Sequence, residues 1–351
     1  MKIAVYTIAL NEAQFVERWF QSAKAADYLL IADTGSTDMT VKYAQNLGIN
    51  IINIAIKPWR FDDARNASLA AIPADVDYCI ALDMDEILLP GWRKELESIH
   101  PSITRPRYKY TWSWQEDGSP GLTYGGDKIH ARKGYRWKHP VHEVLDATGT
   151  ENQGWMGLEI HHHPDSSKSR SQYLQLLELA IREMPNDDRN TFYYARELYF
   201  DGQNEKAKSE FKRHLKLPNA TWEPERAASM RYLAKVDPEN CEMWLQRAVI
   251  EAPRHREARV ELAQYYYEQG EWDAGYFYAT SALKIKDKPL EYLCDADAWG
   301  YLPHDLAAIC AYRLGMFSES LTNGRKAVEL APYIERLKTN LAYYEGAINN
   351  G

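Results

Sequence analysis

Only four cysteines occur in the 351 residues, Cys79, Cys241, Cys294 and Cys310, and none forms a Cys-x-x-Cys pair. That scarcity excludes a disulfide framework and the common zinc modules, and it makes the reducing cytoplasm the expected location. No Gly-x-Gly-x-x-Gly follows the first strand-like run, and no Gly-x-x-x-x-Gly-Lys-Ser/Thr occurs anywhere. Dinucleotide dehydrogenases and P-loop enzymes are thereby set aside. No apolar run approaches the roughly 20 residues of a membrane span. Strand-like sequence begins at Lys2, so no signal peptide is expected. Excess positive charge is also missing: the net charge is −8, shared by both halves, which argues against a general nucleic-acid surface. What is present is ordinary globular composition, 45% hydrophobic and 26% charged, in a chain long enough for two packed cores.

The first third alternates strands and helices. Ile3 to Thr7 reads as a buried strand ending at Asn11-Glu12, and Phe15, Val16, Trp19, Phe20 and Ala23 follow at helical spacing. Tyr28 to Ala32 is a second strand, closed by Asp33-Thr34-Gly35-Ser36-Thr37-Asp38, where Asp38 can cap a helix carrying Val41, Ala44 and Leu47. A third strand spans Ile49 to Ile56, a helix runs from about Asp62 to Ala71, and a fourth strand spans Tyr78 to Leu82. Short links between alternating elements imply right-handed crossovers and a mostly parallel α/β sheet. Thr7, Asp33 and Asp83 then fall at carboxyl ends of strands, where open sheets of this kind bind ligands.

The fourth strand runs into Asp83-Met84-Asp85-Glu86. On an extended backbone, positions i and i+2 face one side, so Asp83 and Asp85 are expected to share a space suited to a hard divalent cation. Four segments, Thr7-Ile8-Ala9-Leu10-Asn11-Glu12, Asp33 to Asp38, Asp63-Ala64-Arg65-Asn66 and Asp83 to Glu86, together resemble in order and spacing the family 2 glycosyltransferases. The resemblance covers about residues 1–165. It implies a GT-A fold, a nucleotide-diphosphate sugar donor (a UDP-sugar foremost), Mn²⁺ or Mg²⁺ at the Asp-x-Asp motif, and inversion at the anomeric carbon. By position it implies that Thr7 and Asp33 line the base and ribose pocket beside Asn11 and Glu12, that Arg65 approaches the nucleotide or diphosphate, and that Asp83 and Asp85 hold ribose and metal. The chain departs from many relatives at Asp33-Thr34, where two consecutive acids are common.

Further on, Arg107 to Trp114 alternates strictly, placing Tyr108, Tyr110, Trp112 and Trp114 on one face of a strand, for core packing or for contact with a sugar. Lys128, Arg132, Lys133, Arg136 and Lys138 crowd the next stretch, a solvated hairpin from which Arg132 is the cation expected at the leaving diphosphate. His139-Pro140-Val141-His142-Glu143 resembles the His-Glu element of family 2 enzymes that carry helical repeats. The resemblance implies that His142 completes the metal site or meets the diphosphate, and that Glu143 is the base removing the acceptor's proton. A structural salt bridge is the other reading of Glu143. In His161-His162-His163 the same resemblance places one histidine near the site, with His162 or His161 as the metal candidate.

From about Ser171 every signal is helical. Gly202, Val236 and Gly270 are 34 residues apart, the tetratricopeptide (TPR) period, with Ala195, Ser229 and Ala263 seven residues before them. A fourth unit fits Ala308, Gly315, Ala327 and Pro332, delayed by an insertion near Asp295 to Pro303, and a helix from Ile334 to Ala347 closes the array. Residues 166–351 are therefore expected to form an all-α TPR-like solenoid that binds a protein, peptide or glycan acceptor or pairs two copies of the chain. The expected activity is metal-dependent inverting glycosyl transfer. The rival is a repeat scaffold with a non-catalytic nucleotide-sugar domain. A nucleotidyltransferase would need a glycine-rich basic first loop, which Thr7 to Glu12 is not.

Overall fold

The computed structural model describes residues 1–115, 117–164 and 173–349. Two compact units divide at Met184 and Pro185. Among the described residues no helix is long and apolar enough to cross a membrane.

The first unit is built on a five-stranded sheet. Its parallel strands are β1 (Ile3–Ala9), β2 (Tyr28–Asp33), β3 (Asn50–Asn53) and β4 (Tyr78–Ala81), and antiparallel β8 (Ile129–Ala131) closes the order β3-β2-β1-β4-β8. The central strands β1 and β4 are almost wholly buried because the sheet is covered on both faces there, whereas edge strand β3 exposes Asn50 and Asn53. Ile3, Val5, Ile31 and Ile80 pack under Trp19 of α1 (Val16–Ala23) and Leu96 of α4 (Trp92–Glu97). Ala4, Tyr6, Leu30 and Cys79 pack on the other side against Leu69 of α3 (Phe61–Ala70) and Trp137. Short α2 (Thr40–Asn46) joins β2 to β3.

A second sheet, order β5-β11-β6-β7, is formed by β5 (Glu86–Leu88), β6 (Arg105–Thr111), β7 (Thr123–Gly126) and β11 (Gln153–His162). The sequence reading did not anticipate it, because β11 pairs with strands about 50 and 70 residues earlier, as Ile160 with Tyr110 and with Leu88. The expected basic hairpin is absent: β9 (Tyr135–Lys138) pairs with β10 (Val144–Ala147), not with β8. The first unit also keeps α5 (Tyr173–Glu183), which lies beyond the expected boundary at residue 165. Arg60 holds Glu183 at 2.8 Å, and Phe61 meets Tyr173 edge to face, so α5 is tied to the start of α3.

The second unit is a run of helix pairs: α6 (Asp188–Phe200) with α7 (Asn204–His214), α8 (Glu223–Val236) with α9 (Cys241–Glu251), α10 (Glu257–Gln269) with α11 (Trp272–Leu283), and α13 (Leu302–Arg313) with α14 (Phe317–Leu330). The short α12 (Ala296–Trp299) interrupts the array, and α15 (Glu335–Asn349) packs on α14. Gly202, Gly270 and Gly315 turn three of the pairs with φ near +77°, a left-handed conformation that glycine adopts without strain. Ala195, Ser229, Ala263 and Ala308 are fully buried, as close helix approach requires. The all-α TPR-like repeat architecture is therefore present as expected.

Candidate active site

The sheet order reverses beside β1, since β2 and β3 lie on one side of it and β4 on the other. The carboxyl ends of β1 and β4 thus border the crevice where such sheets take ligands. The loops there are braced by their own polar residues. Asn11, at φ +55°, accepts hydrogen bonds from the backbone N–H of Thr37 (2.8 Å) and Asp38 (3.3 Å), and its own N–H donates to Ser36 Oγ. Asp33 accepts from the N–H of Gly35 and of Ser36, each 3.0 Å from Oδ2. Glu12 N–H donates to Thr40 Oγ1 at 2.7 Å.

Five charged side chains then meet in one network. Arg65, in the first turns of α3, donates to Asp83 Oδ1 (2.8 Å) and to Glu143 Oε1 (2.5 Å), with its guanidinium 4.9 Å from the Trp137 ring. Lys128 Nζ donates to the other Asp83 oxygen (2.6 Å) and to Glu86 Oε1 (3.0 Å). Glu86 also accepts from the Tyr110 hydroxyl (2.6 Å) and from the Asp83 N–H (2.8 Å). Burial alone would raise the Asp83 carboxyl, but Arg65 and then Lys128 hold it well below the usual carboxylate range. Burial works against Lys128 as well, and Asp83 and Glu86 more than offset it, so its ammonium stays charged far above its ordinary value.

Asp85 takes a separate partner. His162 Nε2 lies 3.3 Å from Asp85 Oδ2, while Nδ1 lies 2.9 Å from the Trp112 carbonyl oxygen and donates to it. Burial disfavours the imidazolium, yet Asp85 and the Trp112 carbonyl raise the pKa above its ordinary value. Trp112, 36% exposed, stacks on the His162 ring at 4.2 Å, and the Trp114 indole N–H donates to the His162 carbonyl oxygen.

Several expected placements change. Asp83 and Asp85 do not share an extended strand: β4 ends at Ala81, and the Glu86 N–H closes a turn onto the Asp83 carbonyl, so the two carboxylates go to different partners. Thr7 lies inside β1, which runs two residues further than expected, and its side chain is fully buried, leaving no surface for a ligand. Arg132 stands at the wrong end of β4. Because β8 is antiparallel, the Lys128 carbonyl meets Ala81 at the carboxyl end, whereas Arg132 N–H bonds Asp77 at the amino end and its guanidinium holds the Ile72 carbonyl. His142 rests edge-on against Tyr173, and among the described residues no group of three or more His, Cys, Asp or Glu is placed to hold a metal. Of the alternating aromatics, Tyr108 and Tyr110 are core while Trp112 is partly exposed.

Lys128 and Glu86 carry no motif signal of their own in the sequence. Only the strand pairing reveals which cation of the basic stretch reaches Asp83. Beneath the site, Trp137 Nε1–H donates to the Tyr6 hydroxyl (2.8 Å) and Tyr6 lies 3.1 Å from His130 Nε2, while His130 Nδ1 donates to the Ala131 carbonyl. Each group in that chain is satisfied with His130 neutral, and burial pushes its pKa down to about 4.

Residues 4–109 match the model of glycosyl transferase family 2. An uncharacterized glycosyltransferase of Rickettsia bellii is 34% identical over 108 residues, which is 30% of this chain and 35% of that protein. A second, from Rickettsia felis, is 33% identical over 108 residues, 30% and 37% of the two chains. The chain thus spans little more than a third of the length of the curated relatives it matches. A TPR repeat-containing protein of Synechococcus elongatus is 27% identical over 152 residues, 41% of this chain and 36% of that one. Among solved structures, the C-terminal part of a TPR repeat-containing protein from Cytophaga hutchinsonii aligns with 51% of this chain and 67% of its own, at 14% identity and a TM-score of 0.41. The chain carries an N-terminal family 2 glycosyltransferase domain followed by TPR-like helical repeats.

Proposed function

We propose that the carboxyl edge of β1 and β4 transfers a sugar, with inversion, from a nucleotide-diphosphate donor, a UDP-sugar foremost, to a protein, peptide or glycan acceptor. The observation that carries this reading is the Arg65 fork. One side chain binds Asp83 at the end of β4 and Glu143 at once, bringing the proposed donor-binding acid and the proposed base together. Arg65 and Lys128 stand where a diphosphate leaving group would gain negative charge, each held in place by carboxylates of the same edge. Glu143 is the base for the acceptor hydroxyl or thiol, and Arg65 fixes its position. Trp112 offers an aromatic face to a sugar or base.

A divalent cation fits this chain at Asp85 and His162. His162 gives its Nδ1 proton to a backbone carbonyl and turns Nε2 toward a carboxylate, the outer-shell pattern common to metal-binding histidines. Asp83 does not fit as a ligand while both its oxygens are bound by cations. Bound there, Mn²⁺ or Mg²⁺ would neutralise charge on the diphosphate. The four free cysteines, three of them buried, agree with a cytoplasmic setting.

The test is nucleotide release from UDP-, GDP- and dTDP-sugars with Mn²⁺, Mg²⁺ or chelator, on wild type and Asp85→Ala. Release from one donor, dependent on metal and lost in the variant, is expected. Donor binding without release would point to a missing acceptor, whereas no donor binding would favour the scaffold reading instead.

A further inference from the structure

The first helices of the four pairs begin at Asp188, Glu223, Glu257 and Leu302, with spacings of 35, 34 and 45 residues. The excess lies between α11 and α12, in the irregular segment 284–295. Residues 286–288 are exposed, but the segment is held against the helices on both sides of them. Arg256 donates to the Ile285 carbonyl at 3.0 and 2.6 Å, and His255 Nε2 lies 2.8 Å from Glu291 Oε2, both at the start of α10. The Tyr292 hydroxyl donates to Glu225 of α8 at 2.7 Å, and its ring stacks on Tyr193 of α6 at 6.3 Å with the Arg189 guanidinium 6.0 Å away. Asp295 N–H donates to Glu257 at 2.9 Å. One stretch therefore crosses the first helices of three successive pairs and holds residues as many as 103 positions away in sequence.

These contacts are of a particular kind. The segment makes no helix or strand of its own between Ile285 and Leu290, contains Pro289, and leaves Leu290 47% exposed. It reaches the helices through separate side chains, Glu291 to a histidine and Tyr292 to an acid and an aromatic face, much as an extended peptide reads a preformed surface. The segment is anchored by the buried Cys294 side chain and the Tyr292 ring while residues 286–288 and 290 are exposed, and a stretch so lightly covered opens at lower free energy than the helices beneath it.

We propose that residues 286–295 are an internal occupant of a peptide-binding surface on α6, α8 and α10, and that the surface takes in trans an extended peptide carrying an acidic residue followed by tyrosine. The chain's own Glu291-Tyr292 covers the surface until such a peptide displaces it. This proposal stands on the second unit alone and does not depend on the transfer reaction.

The probe is a fluorescent synthetic peptide of residues 286–295, titrated against the full chain. Affinity at least tenfold higher for the Glu291→Ala/Tyr292→Ala variant than for wild type is expected, because the internal competitor is weakened. The same peptide with Ala in place of its tyrosine should lose that gain. A folded variant, with helix content and unfolding midpoint near wild type, that binds the peptide no better than wild type overturns the proposal. If the double variant does not fold, Tyr292→Phe is read in the same way, since it removes only the hydrogen bond to Glu225; no gain there likewise overturns it.

Discussion

At the carboxyl edge of β1 and β4, two cations and three carboxylates join in one network, with Asp83 and Arg65 each serving two partners. In the helical repeats the charges bridge one helix to the next: Arg231 and Lys235 of α8 meet Glu261 of α10 at 2.9 and 3.3 Å, Arg336 of α15 meets Asp305 of α13 at 2.6 Å, and Arg226 of α8 meets Glu251 of α9. Each pair ties one helix to another and recurs along the array. Both arrangements cost desolvation; a bridge between neighbouring helices has its purpose in the contact itself, whereas the crevice gathers its charges where β-strands end. Burial of charge alone would not have distinguished the two regions, since Arg65 and Arg231 both have their ionised forms favoured by acidic neighbours despite burial.

The largest effect that could break this contrast is at Lys128. Lys128→Met should lower sugar-nucleotide turnover by about 100- to 1,000-fold, the usual loss for a group aimed at developing charge. Asp83 keeps Arg65 and Glu86 keeps Tyr110, but buried Glu86 loses its cation, so the urea midpoint should fall as well and turnover is read per folded molecule. Unchanged turnover would make the network structural, like the repeat bridges.

Next comes pH, through His130. Its folded pKa of about 4 lies below the ordinary 6.5, so the unfolded chain binds the extra proton first. Stability from this group is therefore complete above 6.5, falls as pH drops toward 4, and stays lost below that. The expected loss is on the order of 3 kcal/mol from the linkage relation. Urea unfolding across that range, on wild type and His130→Phe, should show the slope in the former and a reduced slope in the latter.

A smaller change is expected in the repeats. Arg231→Met should cost about 2 kcal/mol in chemical denaturation by leaving Glu261 with only the longer contact to Lys235, 3.3 Å away, and adding Glu261→Leu should recover most of it. Turnover per folded molecule should not change in either variant. The smallest effect is at the rim: Trp112→Ala should raise KM about tenfold, for loss of one stacking face, with little change in Tm. A loss of stability without a kinetic change would return Trp112 to the core with Tyr108 and Tyr110.

The sequence made the first four strands visible because each is a short apolar run ended by polar residues, and the repeats visible through Gly202, Gly270 and the small residues seven positions earlier. Asp33, Arg65, Asp83 and Asp85 could be named from motifs alone. What could not be read were relations that depend on pairing. Lys128 and Arg132 are alike in sequence, and only the antiparallel direction of β8 sends one to Asp83 and the other to Ile72. The turn after Ala81 separates two aspartates that alternation would align. The attachment of α5 to the first unit and the path of 284–295 across α6, α8 and α10 rest on contacts between distant residues, which no local pattern encodes.

The measurement that bears most directly on the contrast is turnover and thermal midpoint on the same samples of wild type and Arg65→Lys, with the donor found by the release panel. Lysine keeps the charge but cannot fork to Asp83 and Glu143 together. The account predicts a turnover loss beyond about 100-fold, the scale of a misplaced catalytic group, with a midpoint within a few degrees of wild type. Turnover retained in Arg65→Lys, or lost only in step with the folded fraction, would contradict it.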